Sequence, residues 1–334
     1  MTSIRLPISK SIVNRLLLLQ ALHGETLMDV SERDFPVDTK LMHDALEAIR
    51  SGASSLMLDN CGTAMRFLTA YCAQLKDREI VLDGSKRMCQ RPIGQLVDAL
   101  LTCGADIEYL GEIGFPPLKI KGNALSVRTV VMPDILDSTQ FVSALLLIGI
   151  EVETKSSSPY IMMTRKIKEN YELRMTHCER DWSAAAFWYE YVAIHGGELF
   201  LEDLHQNDIQ GDKVVAEIFR KLGVDTIYES TGVRITRAGK LVPFTFHFSF
   251  KECPDLYPAV ALTCRALRVT LDASDTEVLR IKESDRLQAV SELRTCHDHR
   301  MAMALLAADL PCDDIACIAK SYPEFYEQLC LLRR

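Results

Sequence analysis

Apolar residues recur at helical spacing, stop at a glycine, and give way at once to a short alternating run. In one copy Leu96, Val97, Ala99 and Leu100 mark a helical face, Gly104 ends it, and Asp106-Ile107-Glu108-Tyr109 alternates as a strand. In a second copy Val215, Ala216, Ile218, Phe219 and Leu222 precede Gly223 and the strand Val224-Asp225-Thr226-Ile227-Tyr228. Each glycine stands where the residue after a helix takes positive φ. Ala45 to Ala53 forms a weaker copy. One recurring helix–glycine–strand unit predicts an α/β architecture built from repeats. A further copy starts at Leu287 and breaks at Thr295, so that one helix runs into the next with no connector. Similar abrupt joins lie at 51–54 and 171–176. The repeat predicts that segments are absent at these three joins, either from the sequence as read or from the protein itself.

Helix starts form a second pattern. Ser9-Lys10-Ser11 opens the apolar run Ile12 to Leu22, with Gly24 as its stop. Asn60-Cys61-Gly62-Thr63 opens a run containing Arg66, and Asp298 opens one containing His299 and Arg300, which ends before Pro311. Capping accounts for Ser9 and Asp298. It does not account for a Lys or Arg within one turn of each start, where the helix dipole disfavours cations. An anion sharing each site does account for it, because helix N-termini offer free N–H groups to phosphate and carboxylate.

Charge sharpens this reading. Lys282-Glu283-Ser284-Asp285-Arg286 places two cations and two anions in one short run, and Asp298-His299-Arg300 follows closely. Fixed cations beside ionisable carboxylates suit a site that binds anions and moves protons. The chain as a whole is acidic, with net charge −8, so the anion sites are local and general nucleic-acid binding is disfavoured. The 334 residues suffice for two domains with full cores. No apolar run reaches the length of a membrane-spanning helix, and the N-terminus carries no signal-peptide pattern. The eleven cysteines sit in core-like contexts without a Cys-x-x-Cys pair, which reads as reduced thiols in a cytoplasmic protein. Cys296-His297-Asp298-His299 lacks the second ligand pair of a structural zinc site, and a cap or anion-site histidine is the better reading.

Assembled in order, these clusters resemble the 5-enolpyruvylshikimate-3-phosphate synthases, a family of enolpyruvyl transferases, nearly end to end. The matching segments are Ser9-Lys10-Ser11-x-x-Asn14-Arg15, Asn60-x-Gly62-Thr63-Ala64-Met65-Arg66, Arg87-Met88-x-x-Arg91-Pro92-Ile93-Gly94, Ser138-Thr139-Gln140, Pro159-Tyr160-Ile161, Gln210-Gly211-Asp212, Pro254-Asp255, Lys282-Glu283-x-Asp285-Arg286-Leu287 and Asp298-His299-Arg300-Met301-Ala302-Met303. The resemblance implies two similar α/β domains, each of three βαβαββ units, with helix N-termini facing an inter-domain cleft. It places one domain at residues 11–180 and the other at 1–10 plus 181–334.

It also implies the substrates phosphoenolpyruvate and shikimate 3-phosphate, and a family that is a glyphosate target, with the sensitivity of this chain left open because Cys61 adjoins Gly62. On the matching positions Lys10, Gly62, Thr63, Arg91, Arg286, Arg300 and Lys320 would hold phosphoenolpyruvate. Ser11, Arg15, Ser138, Thr139, Gln140, Ser157, Tyr160, Asp255 and Lys282 would hold shikimate 3-phosphate. Asp255, Glu283, Lys10, His299 and Lys320 would be catalytic, with Asp255 assigned to the ring hydroxyl and Glu283 to C3 of the enol. The resemblance implies no metal or organic cofactor, no membrane partner, and a monomer in the cytoplasm. Two departures stand out: Thr139 where the family usually has Ser, and the absent segments. The rival is the related transferase acting on a UDP-amino sugar, which carries a reactive cysteine on a loop; Cys89, close to Arg91, is the candidate here.

Overall fold

The computed structural model describes residues 2–239, 244–273, 294–295 and 297–333. Two compact units divide the chain. The inner unit comprises Ser11–Ser31 and Asp38–His177; the terminal unit comprises Met1–Lys10, Glu32–Val37 and Cys178–Arg334. The crossings fall after Lys10 and before Cys178, and the short segment Glu32–Val37 counts with the terminal unit.

In the inner unit, helix α1 (Lys10–His23, its first residue counted with the other unit) and helix α2 (Val37–Arg50) precede a complete βαβαββ run. That run is β2 (Ser55–Met57), α3 (Gly62–Ala73), β3 (Glu79–Asp83), α4 (Gly94–Thr102), β4 (Asp106–Tyr109) and β5 (Leu118–Lys121), the N-terminal strand Thr2–Ile4 being β1. The sheet order is β2-β3-β5-β4, with β2 parallel to β3 and the remaining pairs antiparallel. Strand alternation fixes the register: Ile80 and Leu82 of β3 and Leu118 and Ile120 of β5 all point inward and are fully buried. A half-copy follows, β6 (Thr129–Val131), α5 (Thr139–Leu147) and β7 (Glu151–Glu153), the two strands parallel, then α6 (Pro159–Glu169) and α7 (Tyr171–Thr176).

The terminal unit repeats this topology around an interruption. Strand β1 (Thr2–Ile4) pairs in parallel with β8 (Glu198–Glu202), although the whole inner unit lies between them in sequence. Helix α8 (Trp182–His195), helix α9 (Val215–Lys221), β9 (Val224–Glu229) and β10 (Gly232–Arg237) complete the run, in the order β1-β8-β10-β9. A parallel half-copy follows: β11 (Thr245–His247), α10 (Tyr257–Ala266) and β12 (Thr270–Asp272). Helices α11 (His299–Ala307) and α12 (Phe325–Leu332) close the described chain. Helix α8 is apolar on nearly every face, so it is buried against α9, α10 and α11 at the centre of the core, with Trp182, Trp188 and Phe187 enclosed.

The glycine stops behave as the spacing predicts. Gly104 and Gly223 have φ of +90° and +80°, a region costly for residues with a Cβ, and β4 and β9 follow directly. At 51–54 the weaker copy is also continuous: α2 ends, Gly52 takes φ +100°, and β2 follows. At 171–176 the shortening is visible, because α7 leads straight to the crossing with no hairpin after the half-copy. The join at 294–298 adjoins residues outside those described.

Candidate active site

In the inner unit the start of α3 is the focus. Its N-cap Cys61 makes no side-chain capping bond, so the helix end is left to other groups. Arg91 reaches it from the turn Met88–Gln90 after β3. A Cβ on Gly62 would lie 2.5 Å from Nη1 of Arg91 and 3.4 Å from Nη1 of Arg66. Only a glycine lets both guanidiniums come this close to the helix end. Two cations at the positive end of a helix dipole repel unless an anion joins them. Arg66 is 9% exposed, lies over the Phe141 ring, and donates to Oε1 of Gln140 at 2.6 Å. Gln140 Nε2 donates in turn to Oγ1 of Thr63 at 3.1 Å. Ser138 caps α5 and accepts from the Gln140 amide at 3.3 Å, which places Thr139 and Gln140 in its first turn. Thus Gly62, Thr63, Arg91, Ser138, Thr139 and Gln140 form one cluster, together with Arg66, the cation of this helix start.

A second cluster centres on Arg15, which is 2% exposed. Its guanidinium donates to Thr164 Oγ1 at 2.7 Å, the Ser11 carbonyl at 2.6 Å, Ser143 Oγ at 3.2 Å and the Tyr160 carbonyl at 3.5 Å. Burial pushes it down to about 10, with Tyr160 opposing. Arg15 therefore ties the start of α1 to the start of α6, where Ser11 and Tyr160 sit. Ser158 caps α6 and Ser157, just before it, is exposed.

The terminal unit carries charges of both signs. Arg300 pairs with Asp255 through Nη2 and lies 2.9 Å from Nε2 of His299 through Nη1. Asp298 caps α11 by accepting from the amides of Arg300 and Met301, as the sequence predicts, and so fixes His299 and Arg300 in the first turn. Asp181 belongs to the same set, although sequence reading marked it only as a crossing point. It caps α8 through the Ala184 amide at 3.1 Å and is 7% exposed. Burial raises its pKa; the Ala184 bond, Lys10 and Arg300 lower it, and Asp255 raises it. Lys320 ends the turn Ala316–Lys320, which packs against α11.

Lys282, Glu283 and Arg286 lie outside the described residues. Ser9 does not emerge as a cap: its hydroxyl donates to Gln210 Oε1 at 3.0 Å. His297 pairs with Asp314 at 2.6 Å, and no group of three or more metal-type side chains occurs among the described residues. The Cys89 thiol lies against Asp83 Oδ1 and the Gly84 carbonyl, and burial together with the Asp83 charge raises its pKa. That environment suppresses the thiolate a nucleophile needs.

Residues 47–296 match the profile of the family described as EPSP synthase (3-phosphoshikimate 1-carboxyvinyltransferase). A Bacteroides fragilis protein named 3-phosphoshikimate 1-carboxyvinyltransferase is 32% identical over 394 positions, covering 98% of this chain and 94% of the relative. A Vibrio cholerae protein of the same name is 30% identical over 416 positions, covering 99% and 96%. Both alignments are longer than the 334 residues of this chain, so these relatives carry internal segments with no counterpart here. Among solved structures, an EPSP synthase from Acinetobacter baumannii superposes with a TM-score of 0.69 at 20% identity, covering 98% of this chain and 95% of that one. This likeness bears out the expected two-domain α/β fold. Extent and identity together place the chain in the EPSP synthase family.

Proposed function

We propose that this chain transfers the carboxyvinyl group of phosphoenolpyruvate to the 5-hydroxyl of shikimate 3-phosphate and releases inorganic phosphate, a step of the shikimate pathway to chorismate and the aromatic amino acids. In the first step the ring oxygen bonds to C2 of the enol, its proton leaves to a base, and C3 gains a proton. In the second step C3 loses a proton, the C2–O bond to phosphate breaks, and the double bond returns.

The inner unit supplies the binding groups. Arg91 and Thr63 at Gly62 hold phosphoenolpyruvate, with Arg66 beside them; Ser11, Ser138, Thr139, Gln140, Ser157 and Tyr160 hold the hydroxyls and phosphate of the second substrate, with Arg15 as their brace. The terminal unit supplies the proton chemistry. Asp255 takes the hydroxyl proton, Lys10 assists, and His299, Arg300 and Lys320 stabilise developing charge, as preorganised groups do in a dry site. Glu283, Lys282 and Arg286 complete the set as the sequence assigns them.

The observation that carries the reading is the Asp255–Arg300 pair with Asp181 and Lys10 beside it: binding an anion needs cations alone, whereas this set also holds carboxylates that can exchange protons. The ten cysteines among the described residues are free thiols, which supports the cytoplasm, and the net charge of −8 disfavours nucleic acid. The protein acts as a monomer in this reading.

The test is phosphate release from phosphoenolpyruvate with and without shikimate 3-phosphate. Release that depends on the second substrate is expected. No release from folded protein would reduce the chain to an anion-binding relative. A thiol reagent is expected to leave turnover intact, because Cys89 is held protonated; inactivation prevented by phosphoenolpyruvate would instead favour a UDP-amino sugar as acceptor.

A further inference from the structure

Gln210 opens the Gln210-Gly211-Asp212 motif and is neither a binding group nor a proton carrier in the transfer reaction. It is 5% exposed, and its amide has polar partners on both sides. Oε1 accepts from Ser9 Oγ at 3.0 Å and from the Trp182 amide at 3.2 Å. Nε2 donates to Glu179 Oε2 at 3.1 Å and to the Arg180 carbonyl at 2.7 Å. Exchanging the amide oxygen and nitrogen would break the bonds to the Trp182 amide, the Glu179 carboxylate and the Arg180 carbonyl, leaving only the Ser9 hydroxyl able to reverse its role, so the orientation is fixed.

These partners are not scattered. Ser9 immediately precedes Lys10, and Arg180 and Trp182 flank Asp181. The two segments are also joined by backbone: the Ser9 amide donates to the Glu179 carbonyl at 2.9 Å, and the Asp181 amide to the Pro7 carbonyl at 3.0 Å. Gln210 is the side chain that ties both segments to the loop after β8. That loop is laced to the start of α8 along its length. Asp208 accepts from Trp182 Nε1 at 2.7 Å, the Ile209 amide donates to Glu179 at 2.9 Å, and Ser183 donates to Asp212. Filling the space would take only an apolar side chain. A buried amide with every bond directed at these two segments does more, because it fixes direction as well as volume.

We propose that Gln210 is a positioning residue of the transfer reaction: its amide holds Ser9 and the backbone on both sides of Asp181, and so sets where the Lys10 ammonium and the Asp181 carboxyl stand relative to each other. The inference rests on the transferase reading for its kinetic consequence, but not for its geometry. Small displacements of reacting groups lower rates steeply, by up to about 100-fold for roughly 1 Å.

The experiment uses the full chain with Gln210→Ala, Gln210→Glu and, as a control, Tyr189→Phe, which removes a 3.0 Å contact to Thr226 in the same unit, away from both segments. Gln210→Ala is expected to lower kcat by about 10- to 100-fold, with KM for shikimate 3-phosphate within about twofold of wild type and Tyr189→Phe near wild type throughout. In Gln210→Glu the introduced carboxyl can donate one hydrogen bond when protonated. When ionised it faces the Glu179 carboxylate and the Arg180 carbonyl. Its kcat deficit is therefore expected to widen as pH rises. A deficit that is flat with pH, or a kcat no lower than that of Tyr189→Phe, overturns the proposal. A carbon-13 titration of Asp181 without substrates decides the geometry independently. Burial raises the Asp181 pKa while Lys10 and Arg300 lower it, so loosening the brace in Gln210→Ala is expected to shift its titration, and an unchanged titration overturns the proposal. If wild type fails to turn over, the transferase reading falls and this titration still decides the positioning role. If Gln210→Ala does not fold, the widening of the Gln210→Glu kcat deficit with pH decides the proposal.

Discussion

Helices α3 and α8 hold equivalent places in two copies of one βαβαββ topology, yet their N-termini are finished in opposite ways. The start of α3 has no side-chain cap, and two guanidiniums stand at Gly62. The start of α8 is capped by the carboxylate of Asp181, with Lys10 and Arg300 acting on it. The first end gathers two cations at the positive pole of its helix. The second brings its own anion and is already balanced. Equivalent helix ends of a repeated fold thus carry different N-caps, Cys61 without a capping bond and Asp181 with one, and in the proposed function this divides them between binding and proton chemistry.

The hardest way to break this division is Asp255→Asn. The amide keeps the shape beside Arg300 but cannot take a proton. Turnover is expected to fall by about 10² to 10⁴, while calorimetry finds shikimate 3-phosphate still bound. Full turnover with weakened binding would make the terminal unit a binding half like the other. Gly62→Ala tests the opposite side. Its methyl would meet the Arg91 guanidinium, so KM for phosphoenolpyruvate is expected to rise about tenfold, the loss of roughly 1.4 kcal/mol from a displaced charge-assisted contact. The kcat should change far less. An equal fall in kcat would place chemistry at α3.

These two variants also mark what the sequence disclosed. Periodicity and glycine stops located the repeats, and the copies at 96–109 and 215–228 end at the glycines foreseen. The pairing of β1 with β8 was not legible, because its partners are separated by the whole inner unit and a strand of three residues has little pattern of its own. The helix starts bearing Lys10, Gly62 and Arg300 were legible, since cations at a positive dipole end are a local anomaly. Asp181 was not, because an aspartate opening a helix looks like any cap. Gln210 was legible only as part of a motif: its role depends on chain crossings that no local pattern encodes.

A smaller effect separates the interiors of the same two helices. Helix α8 carries Glu190, fully buried, with both oxygens unpartnered among the described residues, whereas α3 contains no acid. Burial raises the Glu190 pKa well above 4.5. The folded state then binds a proton that the unfolded chain gives up, so stability is greatest below the unfolded value and declines as pH rises above it, by up to about 1.4 kcal/mol per pH unit. Glu190→Gln is expected to flatten that decline, with thermal midpoints for variant and wild type closer at pH 5 than at pH 8. Parallel curves would mean that the carboxyl finds a partner in solution.

The mildest test compares two caps. Ser158→Ala removes the cap of α6 and is expected to lower stability by about 1 kcal/mol, a shift of a few degrees in melting temperature. Ser158 is 3% exposed and accepts from the Tyr160 amide at 3.4 Å, so Tyr160 loses one tether, and KM for shikimate 3-phosphate should move less than about twofold. Asp181→Asn keeps a side-chain oxygen that can cap α8 and removes only the charge. If capping were all that either residue did, Asp181→Asn would be the gentler change in every assay. The division between the two helix ends predicts the reverse ranking in kinetics: Asp181→Asn leaves the melting temperature nearer to wild type than Ser158→Ala does, and lowers kcat further. Only a side chain that serves the charge set as well as the helix separates stability from turnover in this way.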